Sequence, residues 1–253
     1  MDTTPLHGRV ALVTGANDPE GLGYGIAQRL AGDGARVYFG CRTAEQVHAL
    51  TENLRPAEAA HAVRLDIANP DSIQEAFRQI EASAGRLDIL VNNAGDGANC
   101  SALEETAEQW DRIMTANARG SFLCAQAAAR LMSPRRFGRI VNISSQAGTV
   151  AIVDHVAYSS SKAALNMLTK SLALEWAALG ITVNAVAPTY LMTPGTRPSL
   201  EQPAFLASVL ARIPVGRVGS IDDVAHAVAF LCHPDSSLIT GMILPVDGGW
   251  TLA

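Results

Sequence analysis

The stretch VALVTGANDPEGLGYGIAQRLA, residues 10–31, decides the fold class of this chain. It opens with an apolar run of strand length at 10–13, passes through a glycine-rich loop, and continues with helical spacing from residue 24. The glycines of this segment are Gly15, Gly21, Gly23 and Gly25. A turn of this kind presents backbone N–H groups and a helix N-terminus to an anion. Glycines alone are a weak signal, because any tight strand-to-helix turn needs them.

The same alternation of strand and helix runs through the rest of the chain. Apolar segments of strand length lie at 10–13, 36–39, 62–65, 87–91, 139–143, 182–186 and 242–246. Helical patterns lie near 24–33, 44–54, 70–84, 104–132, 157–179 and 221–232. Apolar strands separated by helices are typical of a buried parallel sheet. We therefore predict an α/β fold, a doubly wound parallel sheet of seven strands with helices on both faces.

The chain contains no linker-like composition, repeat or low-complexity tract that would divide it. Its 253 residues are therefore predicted to form a single domain over 1–253. One segment, 189–203, is rich in Pro, Thr and Gly and interrupts the alternation after the sixth strand. Irregular segments of that length in compact domains are often functional, so a substrate lid is predicted near 189–215.

Composition and charge argue against several classes of partner. The net charge is -5 without a basic block, which argues against a nucleic-acid surface. Residues 1–9 lack the pattern of a signal peptide, and no apolar stretch approaches the ~20 residues of a membrane span. The four cysteines form no Cys-x-x-Cys pair and the six histidines show no ligand spacing, so no metal is expected. These features predict a cytoplasmic protein.

The segment YSSSK, from Tyr158 to Lys162, places a phenol and an ammonium four residues apart. On a helix, residues at this spacing share one face. An ammonium about 4 Å from a phenol, at an effective dielectric of ~20, favours the phenolate by ~4 kcal/mol. Such a pair could exchange protons near pH 7, although the same spacing also occurs on solvated helix faces. Lys162 and Lys170 are the only lysines of the chain, which favours the functional interpretation of Lys162.

Polar residues also follow two of the predicted strands. Ser144 and Ser145 end the fifth strand, and the segment NNAG, 92–95, ends the fourth. Ligands of parallel sheets gather outside the carboxyl ends of the strands. A serine at this position either donates to a substrate carbonyl or caps the loop. Asn117, within a predicted long helix, is either bonded to its own backbone or placed there as a polar group for the site.

Together these residues resemble the short-chain dehydrogenase/reductase family, and the resemblance extends from Val10 to Gly249. The matching motifs are Thr14-Gly15 with Gly21-Leu22-Gly23, Asp66-Ile67, Asn92-Asn93-Ala94-Gly95, Asn117, Ser145, Tyr158 with Lys162, Pro188 with Thr193, and Val246-Asp247-Gly248-Gly249-Trp250. The resemblance implies that Tyr158 donates or accepts the proton and that Lys162 lowers its pKa and binds the nicotinamide ribose. It further implies that Ser145 orients the carbonyl and that Asn117 holds a water that relays protons.

The resemblance also implies a dinucleotide site and an assembly of identical chains. The residues implied in cofactor binding, besides Tyr158 and Lys162, are Gly15, Asn17, Gly21, Leu22, Gly23, Arg42, Asp66, Ile67, Asn93, Ala94, Gly95, Pro188, Thr189 and Thr193. A homotetramer or homodimer is expected, in which the long fourth and fifth helices pack against their copies. The apolar residues at helical spacing there are Leu123, Ala127, Leu131, Leu165, Leu168, Leu172 and Trp176.

Two features depart from the family pattern. Five residues separate Gly15 from Gly21, where the family usually has three, and this longer loop is similar to that of the enoyl-reductase branch. That branch, however, places its tyrosine and lysine seven apart, and here they are four apart. We expect chemistry to follow the catalytic pair, with the pyrophosphate bound through Gly15, Gly21 and the start of the helix. The second departure is Thr189, where the family usually has glycine.

The cofactor is predicted from the end of the second strand. An acid there would accept from the ribose 2′-OH of NAD, but Cys41 takes that place and Arg42 follows it. Arginine suits the 2′-phosphate of NADP. Asp18 and Glu20 in the glycine loop argue the other way, since their charge could repel a phosphate. NADP(H) is therefore predicted in preference to NAD(H).

The predicted activity is reversible, NADP(H)-dependent interconversion of a ketone or 3-oxoacyl group and a secondary alcohol, on a small-molecule substrate. The alternatives are enoyl-thioester reduction, an NAD-dependent secondary-alcohol dehydrogenase, and a non-catalytic protein that binds or senses dinucleotides. The predicted pocket walls, 146–156 and 189–206, are mostly apolar. Their polar side chains include Asp154, His155, Arg197 and Glu201.

Overall fold

The protein was analysed as a computed structural model that describes residues 4–54 and 60–252. Its centre is a seven-stranded sheet in which every neighbouring pair is parallel. The strands are β1 (Val10–Thr14), β2 (Arg36–Cys41), β3 (Ala60–Arg64), β4 (Ile89–Asn92), β5 (Gly138–Ile143), β6 (Ile181–Pro188) and β7 (Ile243–Val246). They lie in the order β3-β2-β1-β4-β5-β6-β7, so the order reverses between β1 and β4. The predicted fold class is confirmed.

Nine α-helices lie within the described residues. They are α1 (Leu22–Gly32), α2 (Ala44–Thr51), α3 (Pro70–Ala84), α4 (Ala107–Met114), α5 (Ser121–Met132), α6 (Val156–Trp176), α7 (Arg197–Leu200), α8 (Pro203–Leu210) and α9 (Ile221–Cys232). Local sequence sets several of the boundaries. The side chains of Thr43, Asn69, Thr106 and Ser220 cap the starts of α2, α3, α4 and α9. Pro134 follows the end of α5, since proline cannot continue the hydrogen bonding of a helix.

Two hydrophobic clusters cover the two faces of the sheet, because side chains alternate along each strand. On β1, Ala11 and Val13 join a cluster with α1 and α9, whereas Val10 and Leu12 join a cluster with α3 and α5. All four side chains are buried. Burial on both faces explains why the strands read as continuous apolar runs.

The structure differs from the predicted elements in two places that bear on the site. Residues Thr115–Gly120 form a π-helical segment between α4 and α5, within the span predicted as one α-helix. The segment predicted to be irregular contains α7 and the start of α8. Leu200 and Val209 of these two helices pack with Ile213 and Trp250 in a small third cluster. In the described part of the chain, no helix is both long enough and apolar enough to cross a bilayer.

Candidate active site

A cleft of about 740 Å³ lies at the carboxyl ends of the strands, beside the point where the strand order reverses. This is the position at which parallel α/β sheets bind ligands. It is lined by eleven of the predicted site residues: Gly15, Gly21, Leu22, Asn93, Gly95, Ser145, Tyr158, Lys162, Pro188, Thr189 and Thr193. The fold therefore brings the glycine loop and the Tyr-Lys pair, far apart in sequence, to one cavity.

The glycine loop can take its path only with glycine at two of its positions. Gly15 has φ +64°, and a Cβ built on it would lie 2.9 Å from the Cα of Ala94. A Cβ on Gly23 would lie 2.3 Å from the carbonyl oxygen of Gly15 and 2.4 Å from Nδ2 of Asn93. Any side chain at these two positions would displace backbone that borders the cleft.

The start of α1 is left open to an anion. Gly21 is the N-cap residue, no side chain caps the helix, and its first turn contains no acid. The unpaired N–H groups and the positive end of the helix dipole thus border the cleft beside Leu22. These features and the glycine cradle fit the diphosphate of a dinucleotide.

The two acids of the longer loop are engaged within the protein. Asp18 accepts from the backbone N–H of Glu20 at 3.0 Å through its side chain and from that of Gly21 at 2.8 Å through its carbonyl. Glu20 pairs with Arg197 of α7 at 3.1 Å. The carboxylate of Glu20 therefore has a counter-ion, which weakens the expected repulsion of a phosphate. The same contact joins the glycine loop to the predicted lid.

Asn93 holds the glycine loop against β4. Its side-chain amide donates to the carbonyl oxygens of Thr14 and Gly15, both at 3.0 Å. The hydroxyl of Thr14 in turn accepts from the backbone N–H groups of Asn93 at 3.0 Å and Ala94 at 2.9 Å. Four hydrogen bonds thus tie the ends of β1 and β4 together at the reversal of strand order.

Tyr158 lies on the first turns of α6 and faces Ser145 and Lys162. Ser145 begins the short 3₁₀ turn Gln146–Gly148, where its hydroxyl accepts from the backbone N–H of Ala147 at 3.1 Å. The hydroxyl of Ser144 instead donates to Asn166 at 2.6 Å. Ser145, not Ser144, is thus the serine whose hydroxyl interacts with the Tyr158 phenol.

Lys162 is buried and its Nζ donates to the carbonyl oxygen of Ile143 at 2.8 Å. Nζ lies 5.6 Å from the centre of the Tyr158 ring. Burial lowers the pKa of Lys162 to about 8. The ammonium is therefore placed beside the phenol, with part of its hydrogen-bonding capacity used by the end of β5.

The pKa of Tyr158 differs from the value expected beside Lys162. Burial raises this pKa above the ordinary value of a phenol, and the hydrogen bond with Ser145 only partly opposes that rise. The lowering predicted from Lys162 is not found. The physical reason is that burial penalises the phenolate, while the ammonium is bonded to the Ile143 carbonyl.

Asn117 lies in the π-helical segment and is buried. Its Oδ1 accepts from the backbone N–H of Asp96 at 2.8 Å, and its Nδ2 donates to the carbonyl of Asp96 and the hydroxyl of Ser161, each at 2.8 Å. Both N–H groups of the amide are thus engaged by the protein. A Cβ built on Gly95 would lie 2.7 Å from Asn117 Oδ1 and 3.6 Å from Lys162 Nζ, so these two side chains border the same glycine.

The end of β2 carries the residues predicted to choose the cofactor. Cys41 is buried, its thiol lies 3.5 Å from the carbonyl of Phe39, and burial raises its pKa to about 11. It therefore offers no charge to a ribose. Arg42 is exposed, and its backbone N–H donates to Gln46 at 3.0 Å. Within residues 4–54 and 60–252, no ion pair engages its guanidinium.

Three further predicted residues, Asn17, Asp66 and Ile67, do not line the cleft. Asn17 is in the glycine loop, and Asp66 follows β3, where its carboxylate accepts from the backbone N–H of Ala68 at 3.1 Å. Ile67 is buried next to Gly120. A Cβ built on Gly120 would lie 2.7 Å from the carbonyl oxygen of Ile67. Thr189 lines the cleft, and its buried hydroxyl has no hydrogen-bond partner.

Several residues of the site were missed by sequence analysis. Asp96 lines the cleft, holds Asn117 through its backbone, and pairs with Arg112 of α4. Ser161 accepts from Asn117 and donates to the Tyr158 carbonyl at 2.7 Å. No periodic pattern marks such contacts, because their partners are distant in sequence. Of the polar wall residues that were named, His155 lines the cleft, whereas Asp154, Arg197 and Glu201 do not.

Comparison with known proteins identifies the family. The model of a family described as "Enoyl-(Acyl carrier protein) reductase" matches residues 15–251. The chain is 39% identical over 246 residues to the 3-oxoacyl-[acyl-carrier-protein] reductase FabG of Aquifex aeolicus, covering 96% of this chain and 98% of that one. The chain belongs to the short-chain dehydrogenase/reductase family.

Other members of this oxidoreductase family are equally similar. The chain is 38% identical over 248 residues to a D-threitol dehydrogenase of Mycolicibacterium smegmatis, covering 98% of this chain and 94% of that one. A solved structure of a gluconate 5-dehydrogenase from Burkholderia cenocepacia, in complex with NADP and tartrate, superposes with a TM-score of 0.94 at 36% identity. The superposition covers 100% of this chain and 98% of that one. The family acts on alcohol and ketone substrates.

Proposed function

We propose that this protein is an NADP(H)-dependent reductase that interconverts a ketone or 3-oxoacyl group and a secondary alcohol. The observation that carries the proposal is the convergence of Ser145, Tyr158 and Lys162 at one end of a cleft whose other end fits a dinucleotide. Membership of the family supports the reaction class, since relatives include reductases of 3-oxoacyl groups and dehydrogenases of polyols.

The chain's own residues would hold and activate the carbonyl. The hydroxyls of Ser145 and Tyr158 face the same cleft and would both donate to the carbonyl oxygen. When bound, the reduced dinucleotide supplies a hydride to the carbonyl carbon. Negative charge then grows on the oxygen, where the two preplaced donors stabilise it. Tyr158, whose raised pKa keeps it protonated near neutrality, completes the reaction by giving up its proton.

Lys162 and Asn117 are proposed to support the proton transfer by Tyr158. The Lys162 ammonium lies beside the phenol and would stabilise the phenolate that remains after donation. It would also donate to the ribose of the cofactor. Asn117 positions Asp96 and Ser161, and any water held by its side chain would donate to Oδ1, since both N–H groups are engaged.

The preference for NADP(H) is proposed from the end of β2. Arg42 is exposed and Cys41 offers no carboxylate to a ribose hydroxyl, so a 2′-phosphate would find a partner and a 2′-OH would not. The relative of known structure that contains NADP is consistent with this choice. The helices α7 and α8 are proposed to act as the lid over the bound substrate.

The reductase proposal predicts that Tyr158→Phe abolishes turnover and leaves cofactor binding intact. The ring remains but the proton donor is lost, so kcat should fall by ~10²–10⁴-fold. Initial rates on a panel of ketones and a 3-oxoacyl thioester, followed by NADPH absorbance, measure the change. Tyr190→Phe, which removes the other phenol lining the cleft, is the matched control and should retain activity. More than about a tenth of wild-type kcat in Tyr158→Phe would contradict the assignment.

Enoyl-thioester reduction is the second candidate, because the matching family model carries that description and the glycine loop is long. The spacing of four between Tyr158 and Lys162 favours carbonyl reduction. Adding a trans-2-enoyl thioester to the same panel separates the two. Turnover of the enoyl substrate alone would reject the ketone assignment.

A further inference from the structure

The segment 145–148, the serine turn, comprises Ser145 and the 3₁₀ turn Gln146–Gly148. It borders two cavities. Ser145 and Gln146 line the cleft, whereas Gln146 and Gly148 also line a second cavity of about 470 Å³. Parts of the serine turn therefore face open space instead of the close packing that fixes most of a protein interior. Hydrogen bonds from neighbouring elements are thus important for its position.

Asn166 of α6 supplies two of these hydrogen bonds. Its Nδ2 donates to the carbonyl oxygen of Gly148 at 3.0 Å, and its Oδ1 accepts from the hydroxyl of Ser144 at 2.6 Å. The single amide thus holds the residue immediately before Ser145 and the last residue of the serine turn. Ser144 and Asn166 are both buried, so bulk water competes little for either bond.

Gly148 allows the serine turn to lie directly on the backbone of α6. A Cβ built on Gly148 would lie 2.8 Å from Nδ2 of Asn166 and 2.9 Å from the carbonyl oxygen of Lys162. A side chain at this position would push the turn and the helix apart. The serine turn is therefore in contact with the same turn of helix that carries Lys162.

Asn166 shares a helix face with the Tyr-Lys pair. Tyr158, Lys162 and Asn166 follow one another at intervals of four along α6. Residues at this spacing lie along one side of a helix. Tyr158 and Lys162 line the cleft, whereas Asn166 bonds the serine turn. One helix thus sets the position of Tyr158 and, through Asn166, that of Ser145.

We propose that Asn166, together with Ser144, is a positioning residue that fixes the Ser145 hydroxyl relative to the Tyr158 phenol. The inference rests on the proposed reductase function, in which both hydroxyls donate to the carbonyl oxygen. Stabilisation of charge on that oxygen requires donors that are placed in advance, and a displacement of ~1 Å can lower a rate by ~10²-fold. Asn166 does not line the cleft, so it acts on the reaction through the serine turn.

Asn166→Leu removes both hydrogen bonds with a side chain of similar size. The kcat for carbonyl reduction, followed by NADPH absorbance, should fall by ~10- to 100-fold because the Ser145 hydroxyl is displaced. The dissociation constant of NADPH, measured by fluorescence titration, should stay unchanged. Ser144→Ala is a milder second variant that keeps the bond to Gly148, and it should lower kcat by a smaller factor.

Combination with Ser145→Ala separates a positioning role from a general disturbance of the site. Ser145→Ala alone should lower kcat by ~10²–10³-fold, the usual effect of losing one such donor. If Asn166 and Ser144 act through the Ser145 hydroxyl, adding Asn166→Leu or Ser144→Ala to Ser145→Ala should lower kcat no further. Losses that multiply in the double variants would contradict the proposal.

Thr169→Val is the matched control. Thr169 is also buried on α6, and its hydroxyl accepts from Asn142 of β5 at 2.9 Å. Its replacement removes another buried hydrogen bond between α6 and β5, away from the serine turn. Denaturant unfolding should show a loss of stability in Thr169→Val as in Asn166→Leu, but kcat should change only in Asn166→Leu.

Wild-type kcat in Asn166→Leu and Ser144→Ala, or an equal loss of kcat in Thr169→Val, would overturn this inference alone. Unchanged kcat in Ser145→Ala would overturn the role of Ser145 and this inference together. Absence of turnover of every carbonyl compound by wild type, the 3-oxoacyl thioester included, would overturn the proposed function and this inference with it.

Discussion

Folding strongly changes the environment of Lys162, whose side chain is buried. In a peptide its ammonium would have a pKa of 10.5, but burial lowers the pKa to about 8. With that pKa the side chain remains charged near neutral pH, and Nζ donates to the carbonyl of Ile143. The buried ammonium therefore costs stability, and the cost depends on pH.

The free energy of unfolding should therefore change with pH through Lys162. Between about pH 8 and pH 10.5 the unfolded chain binds a proton at Lys162 that the folded chain has released, so the stability of the folded chain rises with pH. Lys162→Met removes this contribution. The free energy of unfolding of wild type minus that of Lys162→Met should increase by about 2 kcal/mol from pH 8 to pH 10.

Denaturant unfolding of the two proteins at a series of pH values measures this difference. Lys170→Met is the control, because Lys170 is the other lysine of the chain and is exposed. A difference between wild type and Lys162→Met that is constant or falls across this range would show that Lys162 does not titrate as the structure indicates.

Arg42 is predicted to set the preference for NADPH over NADH. If its guanidinium binds the 2′-phosphate, wild type should bind NADPH ten- to a hundredfold more tightly than NADH, since a charge-assisted contact contributes ~1.5–3 kcal/mol. Arg42→Gln should remove this preference, and Cys41→Asp with Arg42→Gln should reverse it by adding an acceptor for the ribose. Dissociation constants for both cofactors at one ionic strength provide the measurement.

Variants of the two acids in the glycine loop test the alternative that the loop, and not Arg42, sets the cofactor preference. Asp18→Asn with Glu20→Gln should change the cofactor preference little, because Glu20 already has Arg197 as its counter-ion. Tighter binding of NADH by wild type, together with improved NADPH binding after neutralisation of the two acids, would assign the choice to the loop instead of Arg42.

At the scale of elements, the longer glycine loop has a partner that its sequence did not reveal. Glu20 reaches Arg197 on α7, so the loop and the proposed lid are joined at 3.1 Å beside the cofactor end of the cleft. Both side chains are partly exposed, and exposed ion pairs contribute ~0.2–1 kcal/mol. The contact is therefore suited to modulating the opening of the lid, not to holding it shut.

The ion pair predicts a change in cofactor release. Glu20→Gln and Arg197→Gln should each raise the dissociation rate of NADPH by up to ~5-fold, and the double variant should release it no faster than either single variant. Stopped-flow fluorescence measures the rates, and high salt should reduce the difference from wild type. Glu75→Gln, which removes an exposed ion pair on α3, is the control. Additive effects of the two single variants would show that the pair is not coupled.

At the scale of the whole molecule, the long helices divide their apolar residues between the core and the surface. Leu165 and Leu172 were predicted to lie in the interface between identical chains, but both are buried within this chain. Leu123, Ala127, Leu131, Leu168 and Trp176 are partly buried and pack against the core. Met167 and Leu174 of α6 are exposed at 61% and 84% and, seven residues apart, share one face. We therefore propose that Met167 and Leu174 contribute to the interface between copies.

An assembly of identical chains predicts a mass above that of one chain, 26.6 kDa, in light scattering at micromolar concentration. Met167→Glu with Leu174→Glu should shift the mass toward the single chain, because two carboxylates would be buried in the interface. Leu103→Glu alters another exposed leucine and should leave the mass unchanged. A mass of one chain for wild type would reject the oligomer.

The α/β class, the positions of all seven strands and the Tyr-Lys pair could be predicted from the sequence. These depend on local periodicity, on glycine at Gly15 and Gly23, and on a spacing of four along one helix, all of which survive in the structure. Several strand ends shifted by one or two residues, because hydrogen bonding to the neighbouring strand decides where a strand ends.

The contacts between the site residues could not be predicted from the sequence, because they depend on tertiary packing. It placed Asn117 in a π-helical segment against Asp96, set Ser145 beside Tyr158 while Ser144 bonds Asn166, and paired Glu20 with Arg197. It also reversed the expected direction of the Tyr158 pKa. Such contacts join residues up to 177 positions apart, and burial depends on every element packed around a group. Local sequence patterns carry no information about contacts between distant residues or about burial.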